Sequence, residues 1–396
     1  MKVVILGQGY VGLSLAVSAA QAGHQVIGFD VNSDLVVQLN LGVSHVEGIS
    51  NQKLEEIISN RSYQASADAV SLSSAEVIVI AVPTPLTSER NPDLSFIHAC
   101  IKLIIEYVEN PVLVINESTS YPGTLRNEIA ARITEVEHLF VSAPERIDPG
   151  NNKWNVRNTP RLIGALSIEA AAKAREFYSG FCEEVIDVSS PEVAEAAKIF
   201  ENTFRQVNIA LVNEFTQIAD ALGISGREVL IAAATKPYGF MEFHPGPGVG
   251  GHCIPVDPTY LAHVAKEVGV PATFIERANE VNLAMPSYVV KRVISGAGGF
   301  IKGKSVVVVG VSYKANVIDT RETPAVPIIN LLRQAGATVV WHDPLVGSWG
   351  GEESADLGAY DVAVVVTKHD VVLVADIEKS SYVFDCTGSI PGADGI

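Results

Sequence analysis

The first thirty residues carry the feature that most constrains the fold of this chain. An apolar, β-branched run at 2–6 is followed at once by Gly7-Gln8-Gly9-Tyr10-Val11-Gly12 and then by an Ala- and Leu-rich stretch that reaches Ala22. A second apolar run, 26–29, ends in Asp30. The order of strand, G-x-G-x-x-G, helix, strand and acid predicts a βαβ unit that binds a dinucleotide. An acid at this place accepts hydrogen bonds from the adenosine ribose, which favours NAD over NADP.

The positions of this fingerprint have separate physical roles. Gly7 is expected to make the tight turn, Gly9 to leave room for a pyrophosphate, and Gly12 to let the helix pack closely on the strand. The backbone amides at the start of the helix, at Tyr10 and Val11, are then expected to face the phosphates.

Composition and charge exclude several other classes of protein. A chain of 396 residues with 47% hydrophobic and 18% charged residues is typical of a soluble globular protein of two or three domains. No apolar run approaches the roughly 18–20 residues of a membrane span, and the apolar start lacks the cleavage site of a signal peptide. The net charge of −17, from 28 basic and 45 acidic residues, argues against nucleic acid or an anionic membrane as a partner.

The cysteines indicate the compartment. Cys100, Cys182, Cys253 and Cys386 form no CxxC pair and have no histidine at a spacing typical of zinc. We therefore expect no metal site, and free thiols of the kind found in the reducing cytoplasm.

Three later strands end in residues suited to a ligand site. The predicted strands 77–82, 111–116 and 139–143 are followed by Pro83-Thr84-Pro85, Glu117-Ser118-Thr119 and Pro144-Glu145-Arg146. Ligands bind at the carboxyl ends of the strands of an open parallel sheet, so a nicotinamide site is expected there. Turn chemistry for the prolines and a solvated loop carboxylate for Glu145 remain the alternatives.

A long helix is predicted from 189 to 222. Ser189-Ser190-Pro191-Glu192 supplies a serine cap, a proline at the first position and a glutamate three residues after Ser189, and Gly223 ends the helix. At about 1.5 Å per residue this helix is roughly 48 Å long. Its apolar positions exceed one stripe, so we expect a homodimer across it. These positions are Val193, Ala197, Phe200, Phe204, Val207, Leu211, Phe215, Ile218 and Leu222.

Lys198 and Asn202 lie four residues apart on this helix and therefore share a face. An ammonium and an amide presented together can hold a substrate oxygen and stabilise developing negative charge. A surface lysine beside a helix asparagine is the alternative interpretation.

The segment 246–258 contains a glycine-rich loop, Gly246-Pro247-Gly248-Val249-Gly250-Gly251, that ends in His252-Cys253, with Asp257 four residues later. Glycines allow positive φ and let a ligand approach without meeting a Cβ, so the thiol is expected to lie beside a bound ligand. A tight turn that ends in a buried structural cysteine is the alternative.

The chain after 304 predicts a second Rossmann-like half. Strands at 304–310, 338–341 and 362–366 and a helix at 323–332 follow one another, but the spaced glycines are missing after Gly310, so we expect no second NAD site. Lys314 and Arg321 bracket a polar loop as candidate phosphate ligands, or as exposed basic residues. The Gly-rich end, 385–396, is expected to fray.

The expected fold class is α/β, with two Rossmann-like doubly wound domains joined by a long central helix and a small helical dimerisation region. The expected domains are an NAD-binding domain at 1–188, a central helical domain at 189–295 and a carboxyl-terminal, substrate-binding Rossmann-like domain at 296–396.

With these motifs in place, the chain resembles the UDP-glucose/GDP-mannose dehydrogenase family of nucleotide-sugar 6-dehydrogenases over nearly its whole length. The resemblance implies an NAD-dependent four-electron oxidation of the sugar C6 alcohol to a carboxylate. The motifs that carry it are the amino-terminal fingerprint, Glu117-Ser118-Thr119 with Tyr121-Pro122-Gly123-Thr124, Pro144-Glu145-Arg146, Lys198-x-x-x-Asn202, Gly250-Gly251-His252-Cys253 with Asp257, and Tyr313-Lys314 with Asp319-x-Arg321-Glu322-Thr323-Pro324.

The resemblance also implies a role for each catalytic candidate. Cys253 traps the C6 aldehyde as a thiohemiacetal, and the second hydride transfer gives a thioester that water hydrolyses. This order is chemically necessary because an aldehyde has no hydride to give until a nucleophile adds to it. Lys198 and Asn202 match the pair that steadies the alkoxide and oxyanion, and Asp257 and Thr119 match the residues that position or activate the water.

Binding residues follow from the same resemblance. Glu145 matches a residue at the substrate and catalytic centre, suited to acid or base work, Arg321 one at the nicotinamide end of the cofactor, and Lys314 a lysine that binds the substrate. Further candidates are Pro83, Thr84 and Thr119 for the cofactor and Arg146, His244, Gly248 and Gly250 for the substrate.

Two segments, 145–151 and 235–241, look most like the UDP-N-acetylglucosamine branch of the family. Enzymes of the UDP-glucose branch typically have arginine where Pro237 stands and serine where His252 stands. UDP-glucose, UDP-N-acetylmannosamine and GDP-mannose remain alternatives by the same mechanism. His252 is not interpreted as a base, because adjacent side chains usually point apart.

Two other functions compete with this interpretation. A two-electron β-hydroxyacid dehydrogenase also places Lys and Asn four apart on a helix, but it has no use for Cys253 or for the second Rossmann half. A non-catalytic NAD-responsive binding protein would not need candidates at every catalytic position.

Overall fold

The computed structural model describes residues 1–147, 151, 153–251 and 253–396 of the chain. They divide into two compact units. The first unit comprises Met1–Glu201 and Thr259–Val270, and the second comprises Asn202–Pro258 and Pro271–Ile396.

The first unit is built on a mainly parallel sheet. Its described strands are β1 (Lys2–Leu6), β2 (Gln25–Phe29), β3 (Tyr63–Ser66), β4 (Val77–Ile80), β5 (Leu113–Asn116), β6 (Leu139–Ser142), β7 (Arg161–Ala165) and β8 (Val185–Val188). They pair in the order β3-β2-β1-β4-β5-β6-β7-β8, and only β6 and β7 of the described strands run antiparallel. The register pairs Lys2 with Gln25 and Leu6 with Phe29.

The helices that flank this sheet account for the buried character of its strands. They are α1 (Tyr10–Gln21), α2 (Ser33–Asn40), α3 (Asn51–Ser59), α4 (Ser95–Tyr107) and α5 (Ile168–Ser179). A short π-helix (Thr124–Ile129) and two 3₁₀ turns (Ala69–Ser74 and Ala130–Arg132) complete the irregular segments. All four residues of β4 and of β5 are buried, as expected of strands covered on both faces.

The strand order places the predicted ligand loops together. The chain moves outward from β1 to β2 and β3, returns to β4 beside β1, and continues in the other direction. A crevice at the carboxyl ends of the strands at such a reversal is the usual ligand site of an open α/β sheet. The loops that leave β1 and β4 hold the glycine fingerprint and Pro83.

The long predicted helix is present as α6 (Pro191–Ala221), with 31 residues. Pro191 occupies the first position, as predicted. The Oγ atom of Ser190 accepts a hydrogen bond from the Val193 amide at 3.4 Å. The helix begins in the first unit and ends in the second, so it is one of the three places where the chain passes between the two units.

The second unit contains a smaller sheet. Its described strands are β9 (Ser305–Val309), β10 (Thr338–His342), β11 (Ser348–Trp349), β12 (Glu352–Glu353), β13 (Val362–Val365), β14 (Tyr382–Asp385) and β15 (Asp394–Gly395). The order β10-β9-β13-β14-β15 is parallel throughout, and β11 and β12 form a separate antiparallel pair. The remaining helices of the chain are α7 (Gly226–Ala234), α8 (Asp257–Glu267), α9 (Thr273–Gly296), α10 (Ala325–Gln334) and α11 (Val374–Ile377).

The expectation that residues 385–396 fray is wrong. β15 pairs with β14 at the edge of the sheet, and Ile390 and Ile396 are buried. Arg292 forms an ion pair with Asp394 at 2.9 Å, and Arg227 donates a hydrogen bond to the Ile396 carbonyl at 3.1 Å. A glycine-rich tail of this kind is ordered because its few apolar side chains complete the core under the sheet edge.

The predicted fold class is confirmed: the chain is α/β, with parallel Rossmann-like sheets and a long central helix. The three domain boundaries remain a prediction. Among the described helices, none combines the length and the apolar character that crossing a membrane requires.

Candidate active site

The glycine fingerprint has the local geometry of a phosphate-binding turn. Gly7 has a φ of +91°, and a Cβ there would lie 2.6 Å from the Ala81 carbonyl oxygen. A Cβ on Gly12 would lie 1.9 Å from the Gly7 oxygen, whereas a Cβ on Gly9 would meet no atom within 4 Å. Gly7 and Gly12 are therefore required by the fold itself, and Gly9 borders open space where a pyrophosphate fits. No side chain caps α1 at Gly9, so its first amides can serve an anion.

Asp30 lies against this turn. Its Oδ2 accepts a hydrogen bond from the Gln8 amide at 2.8 Å, and its Oδ1 accepts one from the Asn32 amide at 2.9 Å. The carboxylate is half-buried, so it is held in one orientation and still reachable by a ribose hydroxyl. The residues present thus fit the adenosine half of NAD.

Gln8 is a structural residue that the motif did not identify. Its side chain is buried, and its amide donates to the Ile5 and Gly7 carbonyls at 3.1 and 3.0 Å. The Tyr63 hydroxyl donates to its Oε1 at 2.9 Å. A Cβ on Gly28 would lie 2.3 Å from that same oxygen. The glycine in β2 therefore makes room for the side chain that braces the fingerprint turn.

The loops after β4 and β5 are tied to each other by Ser118. Its Oγ donates to the Val82 carbonyl at 2.8 Å and accepts from the Val82 amide at 3.0 Å. Thr119 follows and is half-buried, as is Thr84, whereas Pro83 is exposed. These three cofactor candidates are therefore accessible and lie on connected loops.

Glu145 is a buried anion and not a solvated loop carboxylate. Its Oε1 accepts from the Arg146 and Ile147 amides, both at 2.6 Å, and its Oε2 accepts from Arg161 at 2.6 Å. Burial acts to raise the pKa of this carboxyl, but Arg161, the Arg146 amide and Lys198 together outweigh burial and lower it. The alternative interpretation of Glu145 is therefore wrong.

Arg161 is a site residue that sequence reasoning missed, and Glu117 was recognised only as part of a motif at a strand end, without a role of its own. Arg161 begins β7 and donates to Glu117 Oε2 and to the Ala143 carbonyl, both at 3.2 Å. The Tyr178 hydroxyl donates to Glu117 Oε1 at 2.5 Å. Burial raises the pKa of Glu117 to about 7. The arginine that precedes the short apolar run 162–165 was the only signal in the sequence.

Arg146 is engaged within the first unit. Its Nε and Nη2 atoms donate to the two carboxylate oxygens of Glu201 at 3.2 and 2.6 Å, and its Nη1 donates to the Pro160 carbonyl at 3.0 Å. This bidentate pair fixes the loop after β6 to helix α6. A role for Arg146 in substrate binding remains a prediction.

Two buried residues of α6 face the first unit. Lys198 is 8% exposed and contributes to the charge that surrounds Glu145, so the interpretation as a surface lysine is wrong. Glu195 is fully buried and accepts from the Gly123 and Leu125 amides at 2.7 and 2.8 Å. Glu195 therefore attaches the segment after Thr119 to the helix turn that carries Lys198.

The carboxyl-terminal part of α6 makes its contacts in the second unit. The Asn202 amide donates to Asp257 Oδ2, which is buried at the start of α8. Asn213 donates to Asn282 at 3.0 Å and accepts from the Gly246 amide at 2.9 Å. Polar residues of this helix thus hold both ends of the glycine-rich loop.

Cys253 is half-buried, whereas Cys100, Cys182 and Cys386 are buried. All four positions lie within the described residues. The Cys253 carbonyl accepts from the Val256 and Asp257 amides at 3.1 and 2.8 Å, which starts the turn that becomes α8. The interpretation as a buried structural cysteine is therefore wrong.

The glycines before Cys253 face protein. A Cβ on Gly250 would lie 2.7 Å from Tyr313 Cβ, and one on Gly251, which has a φ of +85°, would lie 2.9 Å from the Tyr313 ring. The Gly251 amide donates to the Arg321 carbonyl at 3.0 Å. Glycine is needed here because the segments of Tyr313 and Arg321 approach the loop closely. The sequence pattern had instead predicted that these glycines allow the approach of a ligand.

Arg321 lies in the surroundings of the thiol. Its guanidinium donates to both Asp319 oxygens, at 2.5 Å from Nη2 to Oδ2. The bond to Asp319 above all, with a further contribution from Cys253, raises the pKa of Arg321.

The remaining substrate and cofactor candidates differ in exposure. The Arg321 side chain is 55% exposed, Lys314 is half-buried, and His244 is exposed, with its Nε2 atom 3.8 Å from Glu242 Oε1. The prediction for His252, and parts of the 145–151 segment, lie outside the described residues.

The second sheet has a counterpart of Asp30 with a different environment. Asp343 follows β10 and accepts from the Val311 amide at 2.9 Å. It is also bonded to Ser312 Oγ at 2.9 Å and to His369 Nε2 at 3.0 Å, and all three side chains are buried. Burial opposes ionisation of Asp343, but His369 and the amide lower its pKa. His369 thus covers the Asp343 carboxylate, whereas the corresponding carboxylate of the first sheet, Asp30, stays accessible.

Three domain models of one family match the chain. They are the NAD binding domain of the UDP-glucose/GDP-mannose dehydrogenase family at residues 1–182, its central domain at 192–284 and its UDP binding domain at 307–390.

Known proteins of this family match almost end to end. A UDP-N-acetyl-D-mannosamine dehydrogenase of Pyrococcus horikoshii is 34% identical over 93% of this chain and 90% of its own length. A UDP-N-acetyl-D-glucosamine 6-dehydrogenase of Salmonella typhi is 33% identical over 95% and 89%. The solved structure of a UDP-D-ManNAc dehydrogenase from Pyrococcus horikoshii has a TM-score of 0.90 at 30% identity and covers 100% of this chain and 99% of that one.

The predicted cofactor, NAD, and the predicted enzyme class, an NAD-dependent oxidoreductase, are confirmed by these matches. The geometry of the fingerprint turn and of Asp30 agrees with them. The chain belongs to the UDP-glucose/GDP-mannose dehydrogenase family.

Proposed function

We propose that this chain oxidises the C6 hydroxyl of a UDP-N-acetylhexosamine to the carboxylate through a thioester on Cys253. The observation that carries the proposal is the position of Cys253: it is the accessible cysteine among four, on a loop that glycines hold against Tyr313 and Arg321. A simple alcohol dehydrogenation would not require such a thiol, whereas a four-electron oxidation does.

The chemistry balances as two oxidations and one hydrolysis. When bound, NAD accepts the hydride in each oxidation, so that one alcohol, one water and two NAD⁺ give one carboxylate, two NADH and three protons. Between the oxidations the Cys253 sulfur forms a bond to C6, and the aldehyde oxygen takes a proton. In the hydrolysis, water adds to C6, the C–S bond breaks, and the thiol is restored.

We assign the oxygen at C6 to Lys198 and Asn202. An ammonium and an amide N–H both donate to an oxygen that becomes negative, which is where donors lower a barrier most. Asp257 and Thr119 are assigned to the hydrolytic water. The buried Asp257 carboxylate is bonded to Asn202 and supports this assignment. Glu145, a buried anion, supplies the negative charge near Lys198.

The cofactor and substrate residues are assigned on the same basis. We assign the fingerprint turn and Asp30 to the adenosine and pyrophosphate, and Pro83, Thr84, Thr119 and Arg321 to the nicotinamide end. The nucleotide sugar is assigned to Arg146, His244, Gly248, Gly250 and Lys314. Lys314 is half-buried and lies on the same polar loop as Arg321, which suits a phosphate oxygen.

The configuration of the sugar at C2 separates two candidate substrates. Residues 235–241 favour UDP-N-acetylglucosamine, whereas the match to the Pyrococcus horikoshii protein favours UDP-N-acetylmannosamine. The chemistry at C6 is the same for both, so the two differ only in the contacts to the acetamido group. We propose a UDP-N-acetylhexosamine as the substrate, and a substrate panel identifies the epimer.

A homodimer through α6 is part of the proposal. A row of exposed apolar side chains follows one face of this helix, at spacings of four and seven residues. A second copy of the chain would cover this row by the same surface on both partners. The row comprises Val193, Phe200, Phe204, Leu211 and Ile218, with Leu222 directly after the end of the helix.

A substrate panel tests the proposed activity. The purified chain is mixed with NAD and with UDP-GlcNAc, UDP-ManNAc, UDP-GalNAc, UDP-glucose or GDP-mannose, and NADH and the uronate are both quantified. We expect two NADH per uronate with one of the UDP-N-acetylhexosamines. NADH formation with none of the five would refute the proposed function, and one NADH per sugar with an aldehyde product would refute the role of Cys253.

A further inference from the structure

Three charged side chains meet in the interior of the first unit, at the ends of three different strands. Glu117 follows β5, Glu145 lies three residues beyond β6, and Arg161 begins β7. The side chains of Glu117, Glu145 and Arg161 are 0%, 8% and 3% exposed. Buried charges of this kind are costly unless they are paired, so their arrangement needs an explanation.

The Arg161 guanidinium bridges two neighbouring loops. Its Nη1 donates to Glu117 Oε2 and to the Ala143 carbonyl, both at 3.2 Å, and its Nη2 donates to Glu145 Oε2 at 2.6 Å. The Tyr178 ring lies 5.1 Å from the guanidinium carbon, and the Tyr178 hydroxyl donates to Glu117 Oε1. Glu117, the Ala143 carbonyl and the Tyr178 ring therefore fix the Arg161 guanidinium, and the guanidinium in turn binds Glu145.

Glu145 has little freedom to turn in this arrangement. Two backbone amides bind Oε1 and the guanidinium binds Oε2. Both oxygens thus act as acceptors, and one of them accepts from a cation, which is the bonding that favours a carboxylate. Replacement of Arg161 would release Oε2 and leave the carboxylate anchored through one oxygen only.

The charges around Glu145 come from several elements. Arg161 on β7 and Lys198 on α6 attract the anion. The Glu117 carboxyl after β5 repels it and also shares a hydrogen bond with it, and both effects raise the pKa of Glu117. Tyr178 on α5 and Cys182 after it face Arg161 and Glu117 and are neutral, because burial raises the pKa of both. The two cations Arg161 and Lys198 therefore surround the two carboxyl groups of Glu117 and Glu145. Burial above all raises the pKa of Glu117. Arg161 is the cation that both carboxylates share.

We propose that Arg161 is a positioning residue of the dehydrogenase reaction, because it fixes Glu145 as an oriented anion beside Lys198. The proposal rests on the roles given to Glu145 and Lys198 under the proposed function. Arg161 is buried, and we assign it no contact with substrate or cofactor. It acts through Glu145, and Glu117 and Tyr178 act by holding Arg161.

The test is the pH profile of kcat for Arg161→Lys. Lysine keeps the charge and removes the fork that reaches two carboxylates at once. We expect kcat with the best UDP-N-acetylhexosamine to fall by about 10- to 100-fold, and its acidic limb to move to higher pH because Glu145 is protonated more readily. KM for NAD should stay within about two-fold, since Asp30 and the fingerprint turn are unchanged.

Arg157→Lys is the matched control. Arg157 pairs with Glu183 in the same unit at 3.1 Å, and both side chains are largely exposed. Its exchange should leave kcat and the acidic limb unchanged. A folded Arg161→Lys enzyme with the kcat and the acidic limb of the wild type would overturn the proposal.

Two further variants separate the possible failures. If Arg161→Lys does not fold, Arg161→Met combined with Glu117→Gln removes one charge of each sign, and the same loss of kcat is expected. An unchanged kcat in that folded double variant would also overturn the proposal. Glu145→Gln tests the proposed function itself. Full activity of Glu145→Gln would exclude a role for Glu145 in the reaction. Loss of activity in Glu145→Gln together with normal activity in the Arg161 variants would exclude only the role of Arg161.

Discussion

The side-chain amide of Asn202 donates a hydrogen bond to the Oδ2 atom of Asp257, the first residue of α8. The bond joins two predicted catalytic residues that are 55 positions apart in the sequence. It orients the Asn202 amide, whose second N–H can then serve a substrate oxygen. The Asp257 carboxylate is in turn held at the end of the turn that begins with Cys253.

Replacement of Asp257 by asparagine is expected to stall the reaction at the thioester. Asparagine keeps the size of the side chain and removes the charge that activates water, so kcat for uronate formation should fall by about 10²- to 10⁴-fold. Intact-protein mass spectrometry should then detect the substrate acyl group on Cys253. Asp376→Asn, a half-buried carboxylate on α11 that pairs with Lys379, is the control and should behave as the wild type. Wild-type turnover by Asp257→Asn would contradict the role of this residue.

Replacement of Cys253 by alanine is expected to abolish uronate formation and to leave NAD binding intact. The fingerprint turn lies in the other unit of the chain, so calorimetric titration with NAD should give a Kd within about two-fold of the wild type. Alkylation provides an independent measurement. Because the other three cysteines are buried, iodoacetamide should label the native wild type once and the variant not at all. Full turnover in Cys253→Ala would exclude the covalent mechanism.

The elements of the fold could be predicted because their patterns are local. The strands at 2–6 and 77–82 are β-branched runs bounded by turn residues, and α6 carries its own start and stop signals. The fingerprint turn follows from three glycines, two of which the fold itself requires. Patterns of this kind depend on neighbours within one turn or strand, which is the range that a single sequence displays.

The buried network could not be predicted, since its partners are distant in sequence. Arg161 and Glu117 are 44 positions apart, and Gln8 and Tyr63 are 55 apart. Each is an ordinary polar residue until the sheet brings the strand ends together. The order of 385–396 was missed for the same reason, because Asp394 is held by Arg292, 102 positions away, and the Ile396 carbonyl by Arg227, 169 positions away. The glycines before Cys253 were recognised, but their contact with Tyr313 was not visible.

Replacement of Asp30 by serine is expected to weaken discrimination between NAD and NADP. The carboxylate that the Gln8 and Asn32 amides orient would be lost, and so would its repulsion of a 2′-phosphate. KM for NAD should rise by about 10-fold or more, and kcat/KM for NADP relative to NAD should increase. Initial rates with both cofactors measure the ratio. Asp34→Asn, at an exposed position in the first turn of α2, is the control and should leave the ratio unchanged.

Replacement of Leu211 by aspartate is expected to dissociate the proposed homodimer. Leu211 is 62% exposed in the middle of the apolar row on α6, so a charge there would be buried against a second copy. Light scattering coupled to size exclusion should give a dimer for the wild type and a monomer for the variant. Glu214→Gln, at an exposed polar position of the same helix, is the control. A wild type that is monomeric at all concentrations would remove the dimer from the proposal.

Replacement of Glu195 by glutamine is expected to change how the stability of the protein depends on pH. Burial raises the pKa of Glu195 from 4.5 to about 8, against the two amide bonds that lower it. A carboxyl with a raised pKa contributes stability that is complete below pH 4.5 and is lost as the pH rises through 8. The wild type should therefore lose stability between about pH 5 and 9, and Glu195→Gln should lose less.

Glu192→Gln is the matched control on the same helix. The bond from Arg126 lowers the pKa of Glu192 to about 2, so its contribution is lost only below pH 4.5, and its Tm curve should run parallel to that of the wild type in this range. A Glu195→Gln curve that also runs parallel would show that Glu195 does not titrate there.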